Sequence, residues 1–467
     1  MNPLTHAWIH AALGLPSSGG SPTPFPRVTT DSRKVQAGDL FVAIPGDVYD
    51  GHQFVESALQ AGAGYALVSH DFTASPYVES SLIRVPQKIG GTIEGYRRIA
   101  DRWREQFLGP VVAVTGSVGK TTTKELLAAI LAGKYSRLVK TEGSQNGFVG
   151  IPMTLLELRP DTQAAVIEVG IDEIGAMQKH LDLVKPTACV LSAIGPEHLE
   201  KLRDLPTVAS EELLSLTYVA RKGGTIAVNR DDEWIASWEA PPGAPGKEWD
   251  FRLRGDGALG PKSVVGGYDL STGQLTVTAP AGNGRFPCPL PGEHNARNLL
   301  GAITLALGLG LTFEEITRGL AGFKSPYGRT EIHDRAPKQR FLCDYYNANP
   351  SSVSAALKLL DEQARLGGFS RKLACLGDML ELGADEEKFH RALAEEIRRT
   401  GVNQVFLFGP RMKWLADEIQ GAVPTEHFER QEDLADRLGQ TLTEGDIVLI
   451  KGSRGMRMEK VFKQVCP

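Results

Sequence analysis

No run of about 18 apolar residues occurs anywhere in the 467-residue chain, which excludes a helical membrane span. No cluster of Lys or Arg interrupts the even spread of charge and the net charge is −5, so no nucleic-acid partner is expected. Cysteine is scarce and scattered: Cys189, Cys288, Cys343, Cys375 and Cys466 are odd in number and form no CxxC pair. Neither a disulfide framework nor a zinc site is therefore expected, and each cysteine reads as a small core filler with a free thiol. The first residues, MNPLTHAWIHAALGLPSS, carry neither a basic segment nor a long apolar one, so the expectation is no secretory signal and a cytoplasmic protein. Internal repeats and low-complexity tracts are missing as well. What is present is a globular composition, 42% hydrophobic and 23% charged residues. At roughly 150 residues per domain the chain has room for about three domains.

The stretch VVAVTGSVGKTTTKELLAAIL, residues 111–131, organises the rest. Val111, Val112, Ala113 and Val114 read as a buried parallel strand, and a glycine turn leads from it into a helix beginning near Lys120. Gly116 and Gly119 let the backbone turn tightly and bring its N–H groups to an anion, while the helix N-terminus adds partial positive charge. The turn Gly116, Ser117, Val118, Gly119, with Lys120, Thr121 and Thr122, thus forms a phosphate cradle. Lys120 is placed to reach the β- and γ-phosphates of a nucleotide and the Thr121 hydroxyl to meet Mg²⁺. The full P-loop pattern has glycine where Val114 stands, so this is the shortened form GxxGKTT.

Around this centre the chain reads as α/β. Its first hundred or so residues mix strands and helices, with Asp31, Ser32 and Arg33 in a polar turn before the buried strand GDLFVAI. That turn is either a solvated cap or a ligand loop, in which Ser32 and Arg33 offer a hydroxyl and a planar fork to a phosphate or a polar base. From Val111 strand and helix alternate. AAVIEVG and TACVLSAIG are apolar runs with polar ends, which puts Glu168 at one strand end and His198 just past another, both facing the phosphate turn. A carboxylate at such a strand end is placed to hold Mg²⁺, directly or through water. Residues 243–284, rich in Gly and Pro, read as a small antiparallel excursion that caps the sheet. LPGEHNARNLLGAITLALGLGL starts a helix with His294, Asn295 and Asn298 in its first turns, where amides can pair with a purine edge or, for Asn295, cap the helix. A third α/β segment carries polar strand ends at Asp344, at Asp378 and from Lys451 to Arg454. The expected domains are 1–109, 110–327 and 328–467.

In order along the chain, TDSRKVQAGDLFVAIPGDVYDGHQF, TGSVGKTTTKE, GPEHLE, GEHNARN, GRTE, DYYNANPSSVSAAL, LGDMLELG and KGSRGMRME resemble the motifs of the Mur ligases, and YNANP with LGDMLELG and KGSR resembles their MurF type. The resemblance covers nearly the whole chain. It implies a three-domain α/β fold: an N-terminal substrate domain, a central P-loop-type mostly parallel sheet with helices on both faces, and a Rossmann-like C-terminal domain. It also implies ATP between the second and third domains, with Lys120 and Thr121 on its phosphates, Asn295 at the adenine, and Arg329 and Asp344 supplied across the interface. The uridine end of the substrate would rest near Ser32 and Arg33. The chemistry implied is ATP- and Mg²⁺-dependent amide ligation in peptidoglycan synthesis, through an acyl phosphate, between a UDP-linked muramoyl peptide and D-alanyl-D-alanine. Asn347 and Asn349 would contact the incoming amine or, alternatively, shape the turn before Pro350. A monomer is expected.

Several positions depart from the family. The lysine that family members carry downstream of the GPxHLE histidine is carbamoylated by CO₂ and helps hold a second Mg²⁺. A gap-free count from His198 lands on Glu212. Glutamate offers anionic oxygens without CO₂, so the expected metal set is Thr121, Glu168, His198 and Glu212, and the catalytic set Lys120, His198 and Glu212. A register slip of one would select Glu211; a solvated helix face is the plain alternative. The family's TxGNxNNxxGxP loop reads TEGSQNGFVGIP, so Ser144 and Gly147 replace asparagines that approach the substrate, and Ala176 stands where a carboxylate is usual. These changes keep two alternatives open: a MurF-like ligase joining another carboxylate and amine, and a nucleotide-binding regulator that has lost ligation.

Overall fold

The structure, a computed structural model, describes residues 1–16, 19–46, 49–254 and 260–466. Two compact units make it up: Met1–Ala113, Tyr135–Val169 and Gln178–Thr187 form one, and Val114–Lys134, Gly170–Met177 and Ala188–Pro467 form the other.

In the first unit, β1 (Val28–Thr29), β2 (Leu40–Val42), β3 (Tyr65–Val68) and β4 (Leu82–Arg84) make a parallel sheet in sequence order. Phe41, Ala43, Val55, Ala58, Ala66 and Val68 pack beneath it. The helix Thr92–Arg104 ends on two buried polar anchors. Trp103 Nε1 donates to the Leu158 carbonyl at 3.1 Å, and the Arg104 guanidinium donates to the carbonyls of Val184, Phe107 and Lys185, each at 2.7 Å. A buried cation is tolerable there because each arm finds an acceptor. β5 (Val111–Thr115) begins in this unit and ends in the other; β6 (Leu138–Lys140) and β7 (Ala164–Glu168) pair in parallel. Every residue of β5 and β7 is buried.

The second unit holds β8 (Ala188–Leu191), β9 (Thr225–Asn229), β10 (Lys247–Leu253), β11 (Ser263–Asp269), β12 (Gln274–Ala279) and β13 (Gly282–Pro287), each beside the next. β8 and β9 are buried throughout, as continuous apolar runs are when both sheet faces are covered. The expected antiparallel excursion is only half right. β10 is parallel to β9 and β11 parallel to β10; the antiparallel pairings are β11 with β12 and β12 with β13. β12 buries Leu275, Val277 and Ala279 and exposes Thr276 and Thr278, the period of a sheet with one wet face.

A third sheet follows with β14 (Glu331–Arg335), β15 (Gln339–Cys343), β16 (Arg371–Gly377), β17 (Gln404–Phe408), β18 (Thr425–Phe428) and β19 (Asp446–Lys451), in the order β14-β15-β19-β16-β17-β18. Only β14 is antiparallel to its neighbour. Alternate residues feed two cores: Leu342, Ala374 and Leu376 face the helices Pro350–Gly367 and Glu386–Thr400, while Phe341, Leu373 and Cys375 face Gln431–Thr441 and Glu459–Val465. All five cysteines are free; Cys189, Cys343 and Cys375 are core residues, whereas Cys288 and Cys466 are only half-buried. Among the described residues no helix is long and apolar enough to cross a membrane.

Candidate active site

The glycine turn is shaped from beneath by the end of β8. Gly116 and Gly119 have φ of 120° and 89°, and a Cβ on Gly116 would lie 2.4 Å from Ser192 Oγ, so only glycine fits. Ser117 N donates to the Ala193 carbonyl at 2.7 Å, and Ser192 Oγ lies 2.6 Å from the Val118 carbonyl oxygen. The helix Lys120–Ala132 then starts with Thr121 and Thr122 buried. Lys120 Nζ donates to the Gly116 carbonyl and sits 3.0 Å from Glu197 Oε2. Glu197 is the residue before His198, and sequence reasoning gave it no role.

Two more carboxylates come from the helix Leu205–Arg221. Glu212 is fully buried and its Oε2 accepts the Gly116 N–H at 2.8 Å, which puts it on the phosphate turn. Glu211 points elsewhere, accepting the Gly175 N–H at 3.0 Å. Burial pushes the Glu212 carboxyl up to about 8; Lys120 and the Gly116 N–H oppose the rise and Glu197 adds to it. Glu197 is likewise held above its ordinary value by burial, against the attraction of Lys120. Glu212 Oε1 is buried without a hydrogen-bond partner. Two buried carboxylates beside one ammonium, one of them with an unpartnered oxygen, form a donor set suited to a hard divalent cation. Among the described residues no group of three or more His, Cys, Asp or Glu side chains is preassembled around a metal position. Mg²⁺ does not require one, since it takes one or two carboxylates and fills its shell with phosphate oxygens and water.

His198 heads the short helix Leu199–Leu202 and is about one-third exposed, with its Nδ1 2.6 Å from Glu381 Oε2. Burial lowers its pKa, but the Glu381 hydrogen bond and the charges of Glu197 and Glu381 outweigh this and hold it above the usual value. Asn295 is buried in the first turn of the helix Glu293–Gly308 and its Nδ2 donates to the Pro291 carbonyl at 2.8 Å; the N-cap is Gly292 and no side chain caps it, so Asn295 is not the helix cap that the sequence offered as its alternative role. Beside it, burial drives His294 down to about 4.

The third sheet contributes an ion pair at the ends of β15 and β19. Lys451 Nζ lies 2.5 Å from Asp344 Oδ2 and donates to the Asn347 carbonyl at 2.9 Å; Asp344 Oδ1 accepts the Thr330 N–H at 3.2 Å. Burial raises the Asp344 pKa, but Lys451 outweighs it and holds the carboxyl below its ordinary range. The Arg329 guanidinium stacks 4.6 Å from the Tyr346 ring centre. Asn349 Oδ1 accepts the Ser352 N–H at 2.9 Å and so caps the helix Pro350–Gly367. Lys451 was visible in the sequence only as part of a polar strand end.

Glu168, Ser144, Ser32 and Arg33 lie in the first unit. Glu168, at the end of β7, is buried and its Oε1 accepts the Asn146 amide at 2.8 Å. Asn146 is a partner that sequence reasoning passed over, two residues beyond Ser144 in the same loop. Ser32 and Arg33 sit in a 3-10 turn capped by Asp31, and the Arg33 guanidinium, 86% exposed, lies along the Asp31 carboxylate at 2.8 and 2.9 Å.

With this geometry in view, comparison with known proteins is specific. Residues 25–109, 114–306 and 328–454 match the family models for the Mur ligase family catalytic domain, the Mur ligase middle domain and the Mur ligase glutamate ligase domain. The UDP-N-acetylmuramoyl-tripeptide--D-alanyl-D-alanine ligase of Escherichia coli (strain K12) is 33% identical over 440 residues, which cover 93% of this chain and 92% of that protein. Its counterpart in Bacillus subtilis (strain 168) is 29% identical, over 94% and 92% of the two chains. A crystal structure of MurF from Acinetobacter baumannii superposes with a TM-score of 0.84 at 27% identity, covering 100% of this chain and 99% of that one. The chain belongs to the Mur ligase family and has its three-domain α/β fold. Within the family it is of the MurF type.

Proposed function

We propose that this site ligates D-alanyl-D-alanine to a UDP-N-acetylmuramoyl tripeptide at the expense of ATP, in peptidoglycan synthesis. The observation that carries the reading is Lys120 beside the left-handed glycine turn, backed by the Glu197 and Glu212 carboxylates. In the first step the tripeptide carboxylate oxygen attacks the γ-phosphorus, the bond to the bridging β–γ oxygen breaks, and ADP leaves an acyl phosphate behind. In the second the dipeptide amine attacks the acyl carbon, loses a proton and expels inorganic phosphate, leaving an amide. Little covalent work falls to the protein in the first step: it must align the reactants and offset charge on the phosphoryl oxygens. Lys120 and the N–H groups of residues 116–119 do this in our reading, with Arg329 and Asp344 brought by the third domain and Asn295 at the adenine. Thr121, Glu168, His198 and Glu212 would hold Mg²⁺, which when bound neutralises phosphate charge. Glu212 takes the place of the carbamoylated lysine; its contact with Gly116, where Glu211 has none, supports that register. Ser32 and Arg33 are assigned to the uridine end, and Ser144, Asn347 and Asn349 to the peptide and amine.

The domain boundaries we assign are 1–109, 110–327 and 328–467, supported by the matched segments, and the enzyme is taken as a cytoplasmic monomer. The test is release of phosphate from ATP with Mg²⁺. Release that needs both UDP-linked tripeptide and D-alanyl-D-alanine is expected; release with neither, or none at all, contradicts the reading. Ser144 and Ala176, standing where the family has an asparagine and a carboxylate, favour a second reading, a MurF-like ligase joining a different carboxylate and amine, for which phosphate release in the same assay would need other partners.

A further inference from the structure

The turn after β16 reaches the site from the third domain. Its residue Glu381 has φ 65° and His198 has φ 48°, both left-handed without being glycine. Such residues persist only where their surroundings hold them, and they gather at functional sites. The two segments are in close contact: a Cβ on Gly383 would lie 3.1 Å from both Glu200 N and the Leu199 carbonyl carbon. Within that seam Glu381 Oε2 meets His198 Nδ1 at 2.6 Å.

A carboxylate can only accept, so Nδ1 carries the hydrogen, and once the ring is neutral, as a bound cation requires, the lone pair lies on Nε2. Histidines that serve metals are oriented in this way by a carboxylate behind them. Stability does not explain the contact, because the side chains are 34% and 58% exposed and an ion pair so open to water contributes little.

We propose that Glu381 is a positioning residue: it fixes His198 with Nε2 available to the divalent cation of the ATP site, and so ties cation affinity to the seating of the third domain. The proposal rests on the reading of His198 as a metal-site residue. The test is titration of the full-length protein, with a non-hydrolysable ATP analogue, by Mn²⁺ as a paramagnetic stand-in for Mg²⁺. Glu381→Ala should weaken Mn²⁺ binding by about 10- to 100-fold. The metal-free unfolding midpoint should stay unchanged, and the double variant with His198→Ala should be no weaker than His198→Ala alone. Glu381→Asp, which tolerates the left-handed backbone but is too short to reach, should weaken Mn²⁺ similarly and decides the matter if the alanine variant fails to fold. Wild-type Mn²⁺ affinity in the foldable Glu381 variant, with His198→Ala impaired, overturns this proposal alone. Wild-type affinity in His198→Ala overturns the metal-site reading beneath it.

Discussion

Glu212 concentrates the residue-scale questions, because a buried carboxylate on a phosphate turn is costly unless a cation answers it. Glu212→Gln keeps the shape and removes the charge; Mg²⁺-dependent turnover should fall at least about tenfold, ~1.4 kcal/mol of transition-state stabilisation. Wild-type rates would show that the charge has no part in catalysis. Its folded pKa, about 8, lies above the ordinary 4.5. The stability it contributes without cation is therefore complete below pH 4.5 and is lost as pH rises through about 8. Urea unfolding of the cation-free protein at pH 6 and pH 9 should show wild type losing more stability than Glu212→Gln; equal losses contradict this. Lys120→Ala should lower kcat by about 10²- to 10³-fold, read in single-turnover ATP cleavage. Lys120, Thr121, Glu168 and Asp344 were legible because motif and strand end sit next to each other in sequence. Glu197 and Asn146 were not, and Lys451 showed only as part of a polar strand end, since their pairings with Lys120, Glu168 and Asp344 are contacts that folding creates.

At the scale of elements, the buried strands announced themselves: VVAVT, AAVIE and ACVL are apolar runs, and each became a fully buried strand. The parallel course of β10 and β11 did not, because their mixed burial lacks a clean period and pairing direction is set by the neighbours they find. Glycine also marks contacts that sequence alone hides. A Cβ on Gly133 would fall 2.0 Å from the Glu315 carbonyl oxygen, and one on Gly319 would fall 2.4 Å from that of Ala129. The helices Lys120–Ala132 and Phe313–Leu320 therefore meet backbone to backbone. Gly319→Ala should cost about 1–3 kcal/mol in urea unfolding, and a neutral result would mean that the helices can part freely. Asp446 is fully buried and takes both arms of Arg371 at 2.7 and 2.6 Å. Asp446→Ala should destabilise the third domain by about 2–3 kcal/mol, again read by urea unfolding.

For the whole molecule, the order of motifs along the chain carried the three-domain plan, and the matched family segments follow that order. The contact of His198 with Glu381 was out of reach of any local pattern, since the two residues are far apart in sequence. What unites the parts is a carboxylate activated by a triphosphate and then captured by an amine. The most direct measurement labels the terminal carboxylate of the UDP-linked tripeptide with ¹⁸O and follows the inorganic phosphate released with ADP in the presence of D-alanyl-D-alanine. One ¹⁸O atom carried into that phosphate is the predicted result; phosphate that contains none would contradict an acyl phosphate at this site.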